Sequence, residues 1–180
     1  MLLRAPSSLC GFVLNVASRK HAVLSNEVIM RILLAIDDST FSEAAVETVI
    51  EQARPHATEV RILHVVEPPP LLVGRELGGY EPALQDALEF QKQHAEALVA
   101  KTAESLRVRG LKATAALEVG DPKSKILDAA EGWHADLIVL GSHGRKGLNR
   151  FLMGGVSEAV ARHACCSVEI VRICPANLKN

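Results

Sequence analysis

Gly141, Gly144, Gly154, Gly155 and Ser157 are the residues whose type and spacing point most directly to chemistry. The apolar run Leu137-Ile138-Val139-Leu140 passes straight into Gly141-Ser142-His143-Gly144, and Arg145 to Met153 separate that turn from Gly154-Gly155-Val156-Ser157. The second glycine pair opens an alternating apolar and polar stretch of helical character. A strand, a glycine turn and a helix start together make a cradle for a phosphate or a similar small anion. Glycine lets the backbone approach a ligand closely and adopt positive φ, while the unpaired N–H groups of a helix beginning near Gly155 point at whatever lies in front of them. Arg145, Lys146 and Arg150 add local positive charge.

Asp37 is the other candidate, because it ends the compact apolar run Arg31 to Ile36 with Asp37-Asp38-Ser39-Thr40. It reads either as a ligand-facing carboxylate or as a helix cap, a role for which Asp38 and Ser39 compete. Gly141 and Gly144 have a plainer reading as turn glycines. His143 has no Ser, Cys or carboxylate at a recognisable catalytic spacing, so it reads as a loop histidine, and His64 reads as a strand residue satisfied by a neighbour. The seven histidines and four cysteines show no metal-ligand spacing.

The elements that must position these residues follow from apolar periodicity. Arg31 to Ile36 is a strand, and a helix follows with Thr40 and Glu43 at capping-box spacing and Val46, Val49, Ile50 and Ala53 on one face. Pro55 stops that helix, and Glu59 to Val66 is a second strand. Pro68 to Pro82 is a proline- and glycine-rich loop of the length used for lids or partner surfaces. A long helix runs from about Pro82 to Arg109, with Leu84, Ala87, Leu88, Gln91, Ala95, Leu98, Val99, Thr102 and Leu106 on one side and Gly110 at its end. Leu111 to Val119 is a third strand. Asp121 caps the next helix with Pro122 at its first position, and Gly132 ends it. Ala135 to Leu140 is the fourth strand, Val156 to Ala164 the last helix and Val168 to Ile173 the fifth strand.

Alternating strands and helices with nearly continuous apolar strands predict an α/β fold: a doubly wound five-stranded parallel sheet with helices on both faces. Ligands bind such sheets at the carboxyl ends of the strands, where the winding reverses. Asp37 and Gly141 both follow strands, so the first and fourth strands are expected to be neighbours across that point. With 180 residues and 48% hydrophobic composition, the chain can bury one core. A domain over 30–175 is expected, with a short tail at 176–180. Residues 1–29 are expected to be a disordered extension or an upstream start, because their apolar run Leu9 to Leu14 is a poor match to an export signal. A net charge of -1 lacks the global basic field of nucleic-acid binders, and no run has the length of a membrane-spanning helix. Cys10, Cys165, Cys166 and Cys174 form neither a CxxC pair nor a disulfide framework, which implies a reducing compartment and packed thiols.

The pattern Gly141-x2-Gly144-x9-Gly154, with Asp37 after the first strand and His64-Val65 near the end of the second, resembles the universal stress protein family in its nucleotide-binding branch. The resemblance covers about Met30 to Arg172. It implies a Rossmann-like fold of the adenine nucleotide alpha hydrolase type and a cytoplasmic stress-response protein that binds ATP or a related adenine nucleotide, with Mg2+ accompanying the nucleotide. By that resemblance Gly141, Gly144, Gly154 and Gly155 shape the phosphate and ribose cradle. Val156 and Ser157 would donate backbone and hydroxyl hydrogen bonds, Asp37 would lie against the ribose or the phosphate-bound metal, Val65 along the adenine through its backbone, and Leu140 in the wall. Gly155 stands where the family usually has Ser or Thr, so one hydroxyl donor is missing. A homodimer through Val168 to Ile173, at an edge of the sheet, is also implied, together with an unidentified protein partner. There is no general base, Walker lysine pattern or arginine finger, so the chain reads as a binder first. Two other readings are a slow ATPase or adenylyl-transfer enzyme and an ATP-independent dimeric interaction module.

Overall fold

A computed structural model describes residues 10–14, 29–68, 81–144 and 153–173. The element order is β1 (Cys10–Leu14), β2 (Met30–Ala35), α1 (Thr40–Gln52), β3 (Thr58–Val66), α2 (Glu81–Val108), β4 (Lys112–Val119), α3 (Pro122–Trp133), β5 (Leu137–Gly141), α4 (Gly155–His163) and β6 (Ser167–Arg172). The expected cations Arg145, Lys146 and Arg150, most of the loop Pro68 to Pro82 and the tail 176–180 lie outside the described residues.

The sheet order is β1-β6-β5-β2-β3-β4. Strands β2 to β6 are mutually parallel, as expected, and β2 lies directly beside β5 with Ala35 opposite Leu140. From β2 the chain winds one way to β3 and β4, then crosses to β5 and β6 on the other side. The reversal therefore falls between the carboxyl ends of β2 and β5, which deliver Asp37 and Gly141. This is the expected neighbour relation, and it follows from right-handed crossovers running to opposite sides of one starting strand.

Strand character explains the layers. The burial of β2, β5 and β6 is nearly continuous because both of their faces are covered, whereas β4, at an edge, is mostly exposed and buries only Ala113. On one face Ala45 and Val49 of α1 and Val99, Ala103 and Leu106 of α2 pack over Ile32, Leu34, Val60 and Ile62. On the other, Ile126 and Ala130 of α3 and Val160 of α4 cover Leu33, Leu63, Ile138 and Ile170. Each fully buried Leu or Ile of this set contributes about 1.5–3 kcal/mol of transfer free energy. Helix α2 departs from its expected face in its first half: Ala87 and Gln91 are exposed, and burial begins at Ala95, where the helix comes to lie over the sheet.

Residues 10–14 correct the expectation of a structureless extension. They form β1, antiparallel to β6, with Cys10 opposite Arg172 and Leu14 opposite Val168. The sheet therefore has six strands, and β6 is not an edge strand in this chain. Two helix boundaries also differ. Ser39, not Thr40, caps α1, its side chain accepting from the Ser42 N–H at 3.3 Å. Gly132 lies inside α3, which ends at His134 in the left-handed conformation, φ 55°.

Candidate functional site

The parallel winding brings three helix starts to one rim, since each of α1, α3 and α4 begins where a strand ends. Between them lies a cavity of about 350 Å³, lined by Asp37, Ser42, Val65, Ile126, Leu140, Gly141, Gly144 and Gly154 to Ser157 among others. That is within the usual range for a small-ligand site. Every expected site residue borders this one space: Asp37, Val65, Leu140, Gly141, Gly144, Gly154, Gly155, Val156 and Ser157.

Asp37 is held rather than merely placed. Its Oδ1 accepts from the Ser39 hydroxyl at 2.5 Å, the Ser42 hydroxyl at 2.6 Å and the Ser39 N–H at 3.1 Å. Ser42 Oγ in turn accepts from the Asp37 N–H at 2.9 Å. A carboxylate with one oxygen fixed by several donors is oriented by its own helix start, and Asp37 borders the cavity without capping the helix itself. Ser39 caps the helix and Asp37 orients Ser39. Its other oxygen, Oδ2, faces Gly144: a Cβ there would stand 2.6 Å from it.

The glycines are required by close approach, not by φ. A Cβ on Gly141 would meet Phe41 at 2.7 Å for Cβ and 2.9 Å for its carbonyl carbon, so Gly141 lets the start of α1 lie against the end of β5. A Cβ on Gly154 would come within 3.0 Å of the Ser142 carbonyl oxygen. Positive φ among the described glycines occurs at Gly110 and Gly120 instead. Around Gly155, by contrast, a Cβ would meet no atom of the described residues within 4 Å.

The two ends of the glycine loop are tied together at Ser142. Its N–H donates to the Val171 carbonyl at 2.8 Å, and its carbonyl accepts from the Gly154 N–H and the Ser157 hydroxyl, both at 2.9 Å. Ser157 is buried, and its hydroxyl also lies 2.9 Å from the Gly154 carbonyl. In this arrangement the one Ser157 hydroxyl proton is directed at these carbonyls. The N–H groups of Gly155, Val156 and Ser157 precede the first intrahelical bond, which Glu158 donates to the Gly154 carbonyl, so they are the backbone donors turned to the cavity side of α4.

Two histidines border the site. His64 is buried with Nδ1 2.8 Å from the Ile36 carbonyl oxygen; since a carbonyl only accepts, Nδ1 carries the proton. It is a strand residue satisfied by a neighbour, as its sequence position implies. His143 packs its ring 5.1 Å from that of Phe41, and its Nδ1 pairs with the Ser142 hydroxyl at 3.1 Å. Sequence reasoning missed Ser39, Ser42, Ile126, Lys123 and Glu67. The serines carried a signal, two and five residues after a strand-end Asp, where side chains of a nascent first helical turn can bond back. Lys123 and Ile126 were signalled by Asp121-Pro122, a helix start on the same rim. There the Asp121 carboxyl is held below its ordinary value of 3.8, mainly by the Ser124 hydroxyl and then by the Ser124 N–H.

A doubly wound parallel sheet with a glycine-walled cavity at its switch point defines a Rossmann-like α/β domain. Residues 29–172 match the model of the universal stress protein family. The chain is 33% identical over 142 residues to a universal stress protein of Thermus aquaticus, covering 78% of this chain and 97% of that one. Among solved structures it is similar to the universal stress protein UspA from Lactobacillus plantarum, with a TM-score of 0.71 and 26% identity over 82% of this chain and 100% of that one. It shares its fold with a universal stress family protein from Arabidopsis thaliana solved with AMP bound, at 18% identity and a TM-score of 0.57 over 84% of this chain and 97% of that one. The chain belongs to the universal stress protein family.

Proposed function

We propose that this protein binds an adenine nucleotide in the cavity between β2 and β5 and acts as a nucleotide-dependent regulator in a stress response. The observation that carries the reading is the pairing of Asp37 with Gly144. A carboxylate whose Oδ1 is fixed by Ser39 and Ser42 turns Oδ2 toward Gly144, whose missing side chain leaves room for it. A ribose hydroxyl pair is the ligand group that donates to such an oxygen. The apolar walls from Val65, Ile126 and Leu140 suit a purine, and the free end of α4 suits a phosphate. AMP in a protein of the same fold supports an adenine nucleotide as the ligand class.

ATP is the nucleotide we put first, and Mg2+ would arrive with its phosphates. As the family resemblance implies, Asp37 would meet the ion through the nucleotide. No helix among the described residues is long and apolar enough to cross a membrane. On the family resemblance alone, we place the protein in the cytoplasm. Titration calorimetry with ATP and Mg2+, repeated with AMP, tests the reading. Binding in the micromolar to sub-millimolar range is expected, with at least about a tenfold loss in Gly144→Ala, whose new methyl displaces the Asp37 carboxylate. No heat at millimolar nucleotide overturns it.

A further inference from the structure

Three donors converge on one oxygen of Asp37. The Ser39 hydroxyl at 2.5 Å, the Ser42 hydroxyl at 2.6 Å and the Ser39 N–H at 3.1 Å all end on Oδ1. A carboxylate oxygen has about two lone-pair sites, so Oδ1 is filled by the chain's own groups. Ser42 makes a second bond to the same residue, its Oγ accepting from the Asp37 N–H at 2.9 Å. One hydroxyl therefore holds both the backbone and the side chain of Asp37, and its single proton is committed to Oδ1.

Ser42 is itself anchored. It is 4% exposed, one turn before Ala45 and Val49, which pack against the sheet at 0% and 2% exposure. Its neighbour Phe41 lies against Gly141, where a Cβ would meet the Phe41 carbonyl carbon at 2.9 Å. The start of α1 is thus clamped between the core and the end of β5, and Ser42 borders the cavity from there. Ser39 is the looser anchor: it is half-buried, and its Oγ also serves as the helix cap by accepting from the Ser42 N–H.

We infer that Ser42 is a positioning residue that makes Asp37 a one-oxygen reader of ribose, so that the two ribose hydroxyls contribute unequally to nucleotide affinity. This deepens the adenine nucleotide reading and rests on it. A carboxylate open at both oxygens takes a vicinal diol one hydroxyl to each oxygen, and the two hydroxyls then matter about equally. With Oδ1 filled, that bridge is closed. The pair must share Oδ2, on the Gly144 side, and only one hydroxyl can lie in line with it. The aligned hydroxyl makes a hydrogen bond to a charged group, the strong kind, while the bent contact of the other contributes little.

Titration calorimetry in the presence of Mg2+ compares ATP, 2′-deoxy-ATP and 3′-deoxy-ATP on the intact chain and on Ser42→Ala. On the intact chain one deoxy nucleotide is expected to bind at least about tenfold more weakly than ATP, and the other within about threefold of it. In Ser42→Ala the ratio of the two deoxy affinities should fall at least about threefold toward one, since the carboxylate is no longer held with Oδ1 turned away. A Ser42 that only stabilised the helix would weaken all three nucleotides alike and leave that ratio unchanged, which overturns the inference. Equal effects of the two deletions on the intact chain overturn it as well: equal losses mean that the diol bridges both oxygens, and no loss for either means that Asp37 does not meet the ribose. ATP that fails to bind at all overturns the nucleotide reading itself, and this inference with it. If Ser42→Ala does not fold, Ser39→Ala, at a less buried position, removes another of the Oδ1 bonds and is read by the same ratio.

Discussion

Asp37 and Gly144 work as one device, and neither residue explains the site without the other. Asp37 is immobilised by hydroxyls of its own helix start, and Gly144 keeps the opposite wall bare at the distance where any side chain would strike Oδ2. Gly155 is the converse case. Among the described residues no atom comes within 4 Å of its Cβ position, and the nearby Ser157 hydroxyl is directed at Ser142 and Gly154. Gly155→Ser therefore adds a donor at the start of α4 without a clash. A neutral hydrogen bond of about 1 kcal/mol predicts roughly fivefold tighter nucleotide binding by calorimetry; unchanged or weaker binding would show that the phosphate does not reach this position. The two adjacent thiols differ in the same local way. Cys165 is exposed, while burial, with Cys165 and Asp136 adding to it, pushes the Cys166 thiol up to about 11. A folded-state value raised above the ordinary 9.0 means that this thiol favours the fold below about pH 9 and that its contribution is lost as pH rises toward 11. Alkylation at pH 8 with intact-mass readout should label Cys165 and leave Cys166 untouched until the protein unfolds.

At the scale of elements, what joins β5 to α1 is a missing side chain. Gly141 brings the strand end against the backbone of Phe41, so Gly141→Ala must push α1 away from the sheet. We expect a loss of about 1–3 kcal/mol in denaturant unfolding, as for other overpacked contacts, and weaker nucleotide binding because Asp37, Ser39 and Ser42 ride on the same helix start. A variant as stable as the parent would contradict the close approach. The strands and helices were legible because burial on both faces leaves a continuous apolar run and burial on one face leaves a helical stripe, as in Leu137 to Leu140 and in Ile126 with Ala130. Boundaries were less legible where two residues offer the same chemistry. Ser39 and Thr40 both supply a capping hydroxyl, and only the backbone angles select Ser39. Gly132 looked like a helix end, yet His134 adopts the left-handed turn one residue past the helix, stabilised by N–H bonds to Ala130 and Glu131. The glycine motif was legible as part of the strand-end rim, but its reason was not: spacing reveals that glycine is required, whereas the atoms it makes room for, Phe41 and Asp37, arrive from a distant part of the chain.

At the scale of the molecule, the switch point between β2 and β5 and the outer edge of β6 are separate surfaces of one sheet. The first was legible, since strand order follows from crossovers and places Asp37 beside Gly141. The second was not. A five-residue apolar segment carries no mark of which strand it will join, and Cys10 to Leu14 finds β6 only because the rest of the sheet leaves that edge open. The central claim, that the switch-point cavity is an adenine nucleotide site, is tested most directly by amide shift mapping of the isotopically labelled protein titrated with ATP and Mg2+. The account predicts saturable shifts concentrated at Asp37, Val65, Gly141, Gly144 and Gly155 to Ser157, with β4 and β6 nearly still. Shifts that are absent at millimolar nucleotide, or that cluster away from the ends of β2 and β5, would contradict it.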